Sequence, residues 1–186
     1  HAQTAAIRRA VRTAGVDAQA ISYVEAHGTG TRLGDPIEVS ALTKAFAALG
    51  SGAGGHRCHL GSAKSNIGHC ESAAGIAGIT KVLLQMKHGE IVPSLHSVEP
   101  NPEIDFSATP FTVPQEVVPW DRPVINQEGG RVEQPRIAGV SSFGAGGTNA
   151  HVVIAEYQAP PRVQYSGADV GRPLLVTPAT LSAAVP

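Results

Sequence analysis

Val24-Glu-Ala-His-Gly-Thr-Gly-Thr-Arg-Leu-Gly-Asp-Pro-Ile-Glu38 carries the chain from a strand, through a glycine loop, into a helix. Residues 21–26, Ile-Ser-Tyr-Val-Glu-Ala, read as a short buried strand. His27 to Thr31 is a loop with glycine at every second position. Asp35-Pro36-Ile37-Glu38 is a strong helix start. Asp suits the N-cap, Pro the first helical position, and Glu38 the capping-box place. The helix is expected to reach about Leu49 and to bury Ile37, Ala41, Leu42, Ala45 and Phe46.

Strand-to-loop passages recur downstream. Residues 58–62 read as a second strand, followed by the polar loop Ala63 to His69. Glu71 to His88 then reads as a long helix with the stripe Ile76, Ile79, Leu83 and Met86. Ser72, Gly75 and Gly78 in that helix imply close approach to a neighbouring element, because glycine weakens a helix unless its small size is used. Ile137 to Ser142 is a third strand, followed by the glycine loop Gly144 to Gly147, and His151 to Glu156 is the last strand. Upstream, residues 1–14 read as a helix with Thr4, Ile7, Val11 and Ala14 on one stripe and Gly15 as its stop. Residues 89–125 are Pro-rich, with extended pieces near 91–95 and 111–118, and 126–135 read as an exposed loop around Gly129-Gly130. From Tyr157 onward no period survives, which reads as a linker or tail. This order of elements predicts an α/β layered fold.

Composition narrows the function. The chain has 186 residues, 42% of them apolar, with a net charge of −1, which suits one folded core and excludes disorder throughout. A pI of about 6.8 argues against a binder of nucleic-acid phosphates. The one basic cluster, Arg8, Arg9 and Arg12, reads as a solvated helix face. No apolar run approaches the roughly 18 residues of a membrane span, and no signal peptide is visible. Cys58 and Cys70 do not make a disulfide framework and read as inert small residues in a reducing, cytoplasmic compartment. The chain opens at His1, without Met and inside a helical pattern, as a processed chain or a piece of a longer one would.

The chemistry gathers at the three junctions. Ligands of layered α/β sheets bind beyond the carboxyl ends of strands. His27 stands at the first junction, Lys64 and His69 at the second, and Ser141 to Asn149 at the third. Glycine at 28, 30, 144, 146 and 147 leaves room for another backbone or a ligand. Two neutral imidazoles, a lysine and free backbone donors suit a developing oxyanion, such as a thioester carbonyl becoming an enolate. A zinc site built from His56, Cys58, His59, His69 and Cys70 lacks the usual ligand spacing. A dinucleotide site needs its glycines ahead of a helix, whereas 144–147 precedes a strand.

Taken together, three motifs resemble the β-ketoacyl synthases: Val24 to Glu38, Gly61-Ser-Ala-Lys-Ser-Asn-Ile-Gly-His69, and Val140-Ser-Ser-Phe-Gly-Ala-Gly-Gly-Thr-Asn-Ala-His151. The likeness is to ketosynthase domains of modular polyketide synthases and covers about residues 1–157. It implies the C-terminal half of a thiolase-like fold, whose whole is a layered αβαβα body, with residues 158–186 as the linker that follows the domain. It implies decarboxylative condensation of acyl and malonyl-type thioesters, with His27 and His69 on the thioester oxygen and Lys64 ordering the site. It implies substrate contacts at Thr29, Thr31, Asn66, Phe143, Gly144, Ala145 and Gly146. Asp35 and Glu38 match acidic positions that read as structural, since capping accounts for them.

The resemblance also implies what lies elsewhere. The family's nucleophilic cysteine belongs to the N-terminal half, and neither Cys58 nor Cys70 has its setting. The implied partners are that half, an acyl carrier protein bearing the phosphopantetheine arm, and a second copy in a homodimer. No cofactor or metal is expected on this chain, nor nucleic acid or membrane. Ala145 stands where fatty-acid enzymes of the family carry a gating Phe, which implies a wider pocket. The alternative is a non-condensing scaffold, dimerisation or chain-transfer domain, or an inactive fragment. Without its other half, the chain is expected to expose apolar faces.

Overall fold

Helices alternate with strands over the first half of the described chain, strands alone follow, and the longest strands join in one sheet. The computed structural model describes residues 2–51, 57–127 and 130–158. In chain order the elements are α1 (Ala2–Ala14), β1 (Ile21–Glu25), α2 (Gly34–Ala48), β2 (Cys58–Gly61), α3 (Lys64–Ile67), α4 (Ala74–His88), β3 (Glu90–Ile91), β4 (Phe111–Thr112), β5 (Val118–Pro119), β6 (Val124–Gln127), β7 (Gly130–Glu133), β8 (Ile137–Phe143) and β9 (Asn149–Ala155). Five of the strands form the central sheet, in the order β4-β2-β1-β8-β9. The strands β4, β2, β1 and β8 run parallel, and β9 closes the edge antiparallel to β8. The carboxyl ends of β1, β2 and β8 therefore lie along one rim.

Helices cover both faces, as parallel strands require. On one face, Ile7 and Val11 of α1 and Leu42, Ala45 and Phe46 of α2 pack with Ile21, Val24, Cys58, Phe111 and Ile137. Phe46 and Phe111 meet edge to face with ring centroids 5.2 Å apart. Each such fully buried ring contributes about 1.5–3 kcal/mol. On the other face, Val82 and Met86 of α4 pack with Tyr23, Trp120, Ala138 and Val140. The Trp120 indole N–H donates to Ser22 Oγ at 2.8 Å, tying the long connection before β6 to β1. The α/β layering read from the element order is this helix–sheet–helix stack, in keeping with what the resemblance implies for the C-terminal half of a thiolase-like body.

Four expectations need correction. Ile37 is 61% exposed, so α2 turns it away from the core that its neighbours fill. The expected stripe of α4 is rotated: Ile76 and Leu83 are 61% and 51% exposed, while Gly78, Val82, Gln85 and Met86 face inward. Gly78 is buried because α4 crosses β1 and β8 there, and a Cβ would lie 3.0 Å from Glu25 Cγ and 3.4 Å from Val140 Cγ1. The expected loop at 126–135 contains a hairpin, β6 with β7, whose four β7 residues are exposed. Backbone pairing and the single buried anchor Ile125 hold it, so it shows no apolar alternation. The polar loop 63–69 contains the helical turn α3. The tail expected at 158–186 lies, from residue 159 on, outside the described residues.

Candidate active site

His27 follows β1 by two residues, and a carboxylate beneath holds its backbone. Glu38 of α2 accepts the His27 N–H at 2.7 Å and the Gly28 N–H at 2.9 Å, one on each oxygen. Asp35 accepts the Gly30 N–H at 3.1 Å. The expected capping box is therefore not formed. The helix begins at Gly34, Thr31 Oγ1 accepts the Gly34 N–H at 3.0 Å, and both carboxylates reach back into the glycine loop. The physical cause is the loop itself, whose N–H groups point inward and need acceptors. Gly28, with φ +47, is needed twice over, since a Cβ there would also lie 2.8 Å from Ser62 Cβ. Burial pushes Glu38 up to about 7, against the downward pull of its two backbone bonds. Desolvation likewise raises Asp35.

The imidazole of His27 is fixed from a third element. The Phe143 N–H at the end of β8 donates to His27 Nδ1 at 3.3 Å. A neutral ring that accepts at Nδ1 carries its proton on Nε2. Desolvation, then the nearby Lys64 and His69, lower the His27 pKa and favour that neutral ring. His69 reaches the same tautomer locally: the Glu71 N–H donates to His69 Nδ1 at 2.9 Å. Glu71 has φ 49, in the left-handed region, where the chain reverses into a one-turn 3-10 stretch ahead of α4. The two rings stand edge to face, centroids 5.6 Å apart and 81° between planes. They form a pair of Nε2–H donors.

Lys64 opens α3 beside them, half-buried. Desolvation lowers its pKa, and Glu25, Glu38 and Cys70 pull it back up in that order. Phe143 packs its ring 5.7 Å from that of His27. Gly144, Ala145 and Gly146 form an exposed turn closed by Gly144 N–H to Thr148 O at 2.7 Å. Thr29 and Thr31 bond to each other at 3.2 Å on the exposed side of the His27 loop. Asn66 is exposed on α3. The structure thus brings His27, His69, Lys64 and Phe143 together; Thr29 and Lys64 line one common groove, while Asn66 lines a different one along α4. Cys58 is fully buried, and burial pushes its thiol up. Cys70, next to His69, is free and partly buried. Among the described residues no group of three or more His, Cys, Asp or Glu is arranged to hold a metal ion.

Sequence reasoning misses Glu25. A glutamate in a strand read as buried, two residues before His27, is the signal that could find it. Glu25 is buried and bonded to Tyr23 and Lys81. His151 also has no role that the sequence assigns: it meets Ser141 at 3.0 Å across β8 and β9, and burial lowers it to about 4.

Known proteins share this arrangement. Residues 1–98 match the model of the β-ketoacyl synthase C-terminal domain, and residues 100–185 that of the ketoacyl-synthetase C-terminal extension. The chain belongs to the β-ketoacyl synthase family and corresponds to the C-terminal part of a ketosynthase of a modular polyketide synthase. It is 58% identical over 161 residues to the polyketide synthase PksL of Bacillus subtilis, covering 87% of this chain and 4% of that protein. It is 55% identical over 157 residues to the polyketide synthase ThaG of Burkholderia thailandensis, covering 84% of this chain and 3% of that one. The oxazolomycin ketosynthase domain OzmH KS7 of Streptomyces albus superposes with a TM-score of 0.76 at 47% identity, over 86% of this chain and 27% of that one. The ketosynthase from module 6 of the Bacillus subtilis bacillaene synthase gives 0.73 at 45%, over 84% and 26%. The chain therefore spans about a quarter of these solved ketosynthases and a few per cent of the full-length synthases.

Proposed function

We propose that this chain supplies the two-histidine and lysine part of a condensing site that elongates a polyketide by decarboxylative Claisen condensation. The observation that carries the reading is the shared tautomer: a backbone N–H occupies Nδ1 of both His27 and His69, leaving two Nε2–H donors. Such donors stabilise an oxyanion without first giving up a proton. A malonyl-type thioester on an acyl carrier protein loses CO2, and the electron pair of the broken C–C bond becomes an enolate. His27 and His69 hold the enolate oxygen by hydrogen bonds. The enolate carbon attacks an acyl thioester on the nucleophilic cysteine of the N-terminal half. The cysteine leaves as thiolate, and the chain is longer by two carbons.

Lys64 biases the site toward negative charge. Thr29, Thr31 and Asn66 line the approach of the phosphopantetheine arm, and Phe143 and the Gly144 to Gly146 turn bound the acyl side. The intact domain works as a cytoplasmic homodimeric acyltransferase, and this chain alone is inactive because it lacks the nucleophile. Its half-domain ends near residue 157, and 158–186 is the following linker. The exposed Ile37, Ile76, Leu83 and Leu84 support a partner half packed against α2 and α4. Among the described residues no helix is long and apolar enough to cross a membrane.

The test uses the intact domain. His27→Ala and His69→Ala should each slow CO2 release from malonyl-carrier protein by about 10²–10³, the usual cost of one oxyanion donor. Acyl loading of the cysteine should change far less. Undiminished CO2 release in both variants would remove this role.

A further inference from the structure

The reaction above makes no use of a charge buried under the Lys64 turn. Glu25 ends β1 on the face covered by α4 and is almost wholly enclosed. Its Oε2 accepts from the Tyr23 hydroxyl at 2.7 Å and from the Lys81 ammonium at 2.9 Å. Lys81, on α4, also donates to the Tyr23 oxygen at 2.8 Å. The other carboxylate oxygen accepts the N–H of Ala63, the residue immediately before Lys64. Two glycines clear space around the cluster. A Cβ at Gly78 would lie 3.0 Å from Glu25 Cγ, and one at Gly61 would lie 2.6 Å from the Tyr23 oxygen and 3.2 Å from Lys81 Nζ.

A buried ion pair is a poor device for stability alone, because desolvating both charges offsets their attraction and apolar residues would serve as well. What this pair uniquely supplies is a fixed acceptor at the root of the Lys64 turn, with its charge already balanced. We propose that Glu25, Lys81 and Tyr23 are positioning residues: Glu25 holds the Ala63 N–H so that Lys64 enters the site, and Lys81 neutralises Glu25 so that Lys64 stays uncompensated. Glu25 is the strongest upward influence on the Lys64 ammonium, so the two already feel each other. Among the described residues Lys64 has no direct ion pair, whereas Lys81 does. Without Lys81, the carboxylate has Lys64 as its next cation. It would turn toward Lys64, release the Ala63 N–H and quench the charge that the site relies on.

The inference rests on the condensing role of Lys64, His27 and His69, and its test is separable from that role. In the intact domain, Lys81→Met should slow CO2 release from malonyl-carrier protein on the order of 10²-fold, the scale of a ~1 Å misplacement. KM for the extender and acyl loading of the cysteine should change little. Lys81→Arg should restore most of the rate. The decisive variant is the double, Glu25→Gln with Lys81→Met, which keeps an acceptor for Ala63 and removes both charges. It should release CO2 faster than Lys81→Met alone, with both variants keeping the parental circular dichroism and acyl loading. A double variant no faster than the single one overturns the proposal. So does a Lys81→Met variant that keeps the parental rate, or one that loses acyl loading and CO2 release in proportion. Failure of the underlying reading shows separately, as undiminished CO2 release in His27→Ala and His69→Ala.

Discussion

The two histidine turns reach the same chemical state by different means. Three elements hold His27: Glu38 of α2 binds its backbone, the end of β8 binds its ring, and Ser62 after β2 sits against Gly28. His69 is exposed, and its ring is fixed by the Glu71 N–H two residues on. The first turn is therefore a product of tertiary structure, while the second is largely local. A half-domain can complete the first alone, and the second has an open side on which a partner half would act.

Removing the deepest support should separate the two turns most. Glu38→Ala leaves the N–H groups of His27 and Gly28 without their acceptors. At roughly 1–3 kcal/mol for each of the two unsatisfied groups, the intact domain should lose about 2–6 kcal/mol, read by urea denaturation. Nuclear magnetic resonance of the histidine rings should show the His27 signals moving and those of His69 nearly unchanged. Equal movement of both would mean that the turns are one unit.

The pH dependence sharpens the same contrast. Burial raises Glu38 from 4.5 to about 7, so its contribution to stability is fully present below 4.5 and is lost as pH rises through about 7. Glu38→Gln removes the titration. Between those limits, the melting temperature of the parent domain should fall relative to that of the variant. A constant difference across the window would show that Glu38 keeps an ordinary pKa.

A smaller effect is expected on the acyl side. Ala145 lies on the exposed turn after Phe143, whose ring packs against His27. Ala145→Phe should cut turnover of branched or long acyl chains several-fold more than that of short ones, by analogy with adding bulk to an apolar pocket. The same loss for all chain lengths would argue against a gate there. The smallest effect belongs to the local turn. Glu71→Gly suits the observed φ of 49 and keeps the N–H that His69 uses. It should shift stability by less than about 1 kcal/mol and leave CO2 release intact. Glu71→Pro, which has no N–H, should slow it.

Much of the framework is legible in the sequence. The helix at 1–14 is α1, and the strands read at 21–26, 58–62, 137–142 and 151–156 are β1, β2, β8 and β9 within a residue or two. Short apolar runs bounded by glycine and polar loops leave little choice of local structure. The site is legible as residues but not as contacts. His27, Lys64 and His69 stand at strand ends in the sequence, yet the jobs of Glu38, Asp35 and Glu25 do not show there. Capping is a local rule, and Asp35-Pro36-Ile37-Glu38 satisfies it on paper. In the fold, the glycine loop competes for the same carboxylates and wins, because its inward N–H groups have few other acceptors.

The sequence by itself determined the order of the main helices and of the strands β1, β2, β8 and β9, the three polar junctions and the residue types gathered there. These follow from neighbours a few positions apart, where periodicity and turn chemistry act. Only the tertiary structure decided which face of α4 is inside, which acceptor each loop N–H receives, and which nitrogen of each imidazole is the donor. A helix stripe such as Ile76 and Leu83 has the same period whether its cover comes from its own sheet or from elsewhere. A buried carboxylate such as Glu25 gains its meaning from Lys81 and Ala63, dozens of positions away.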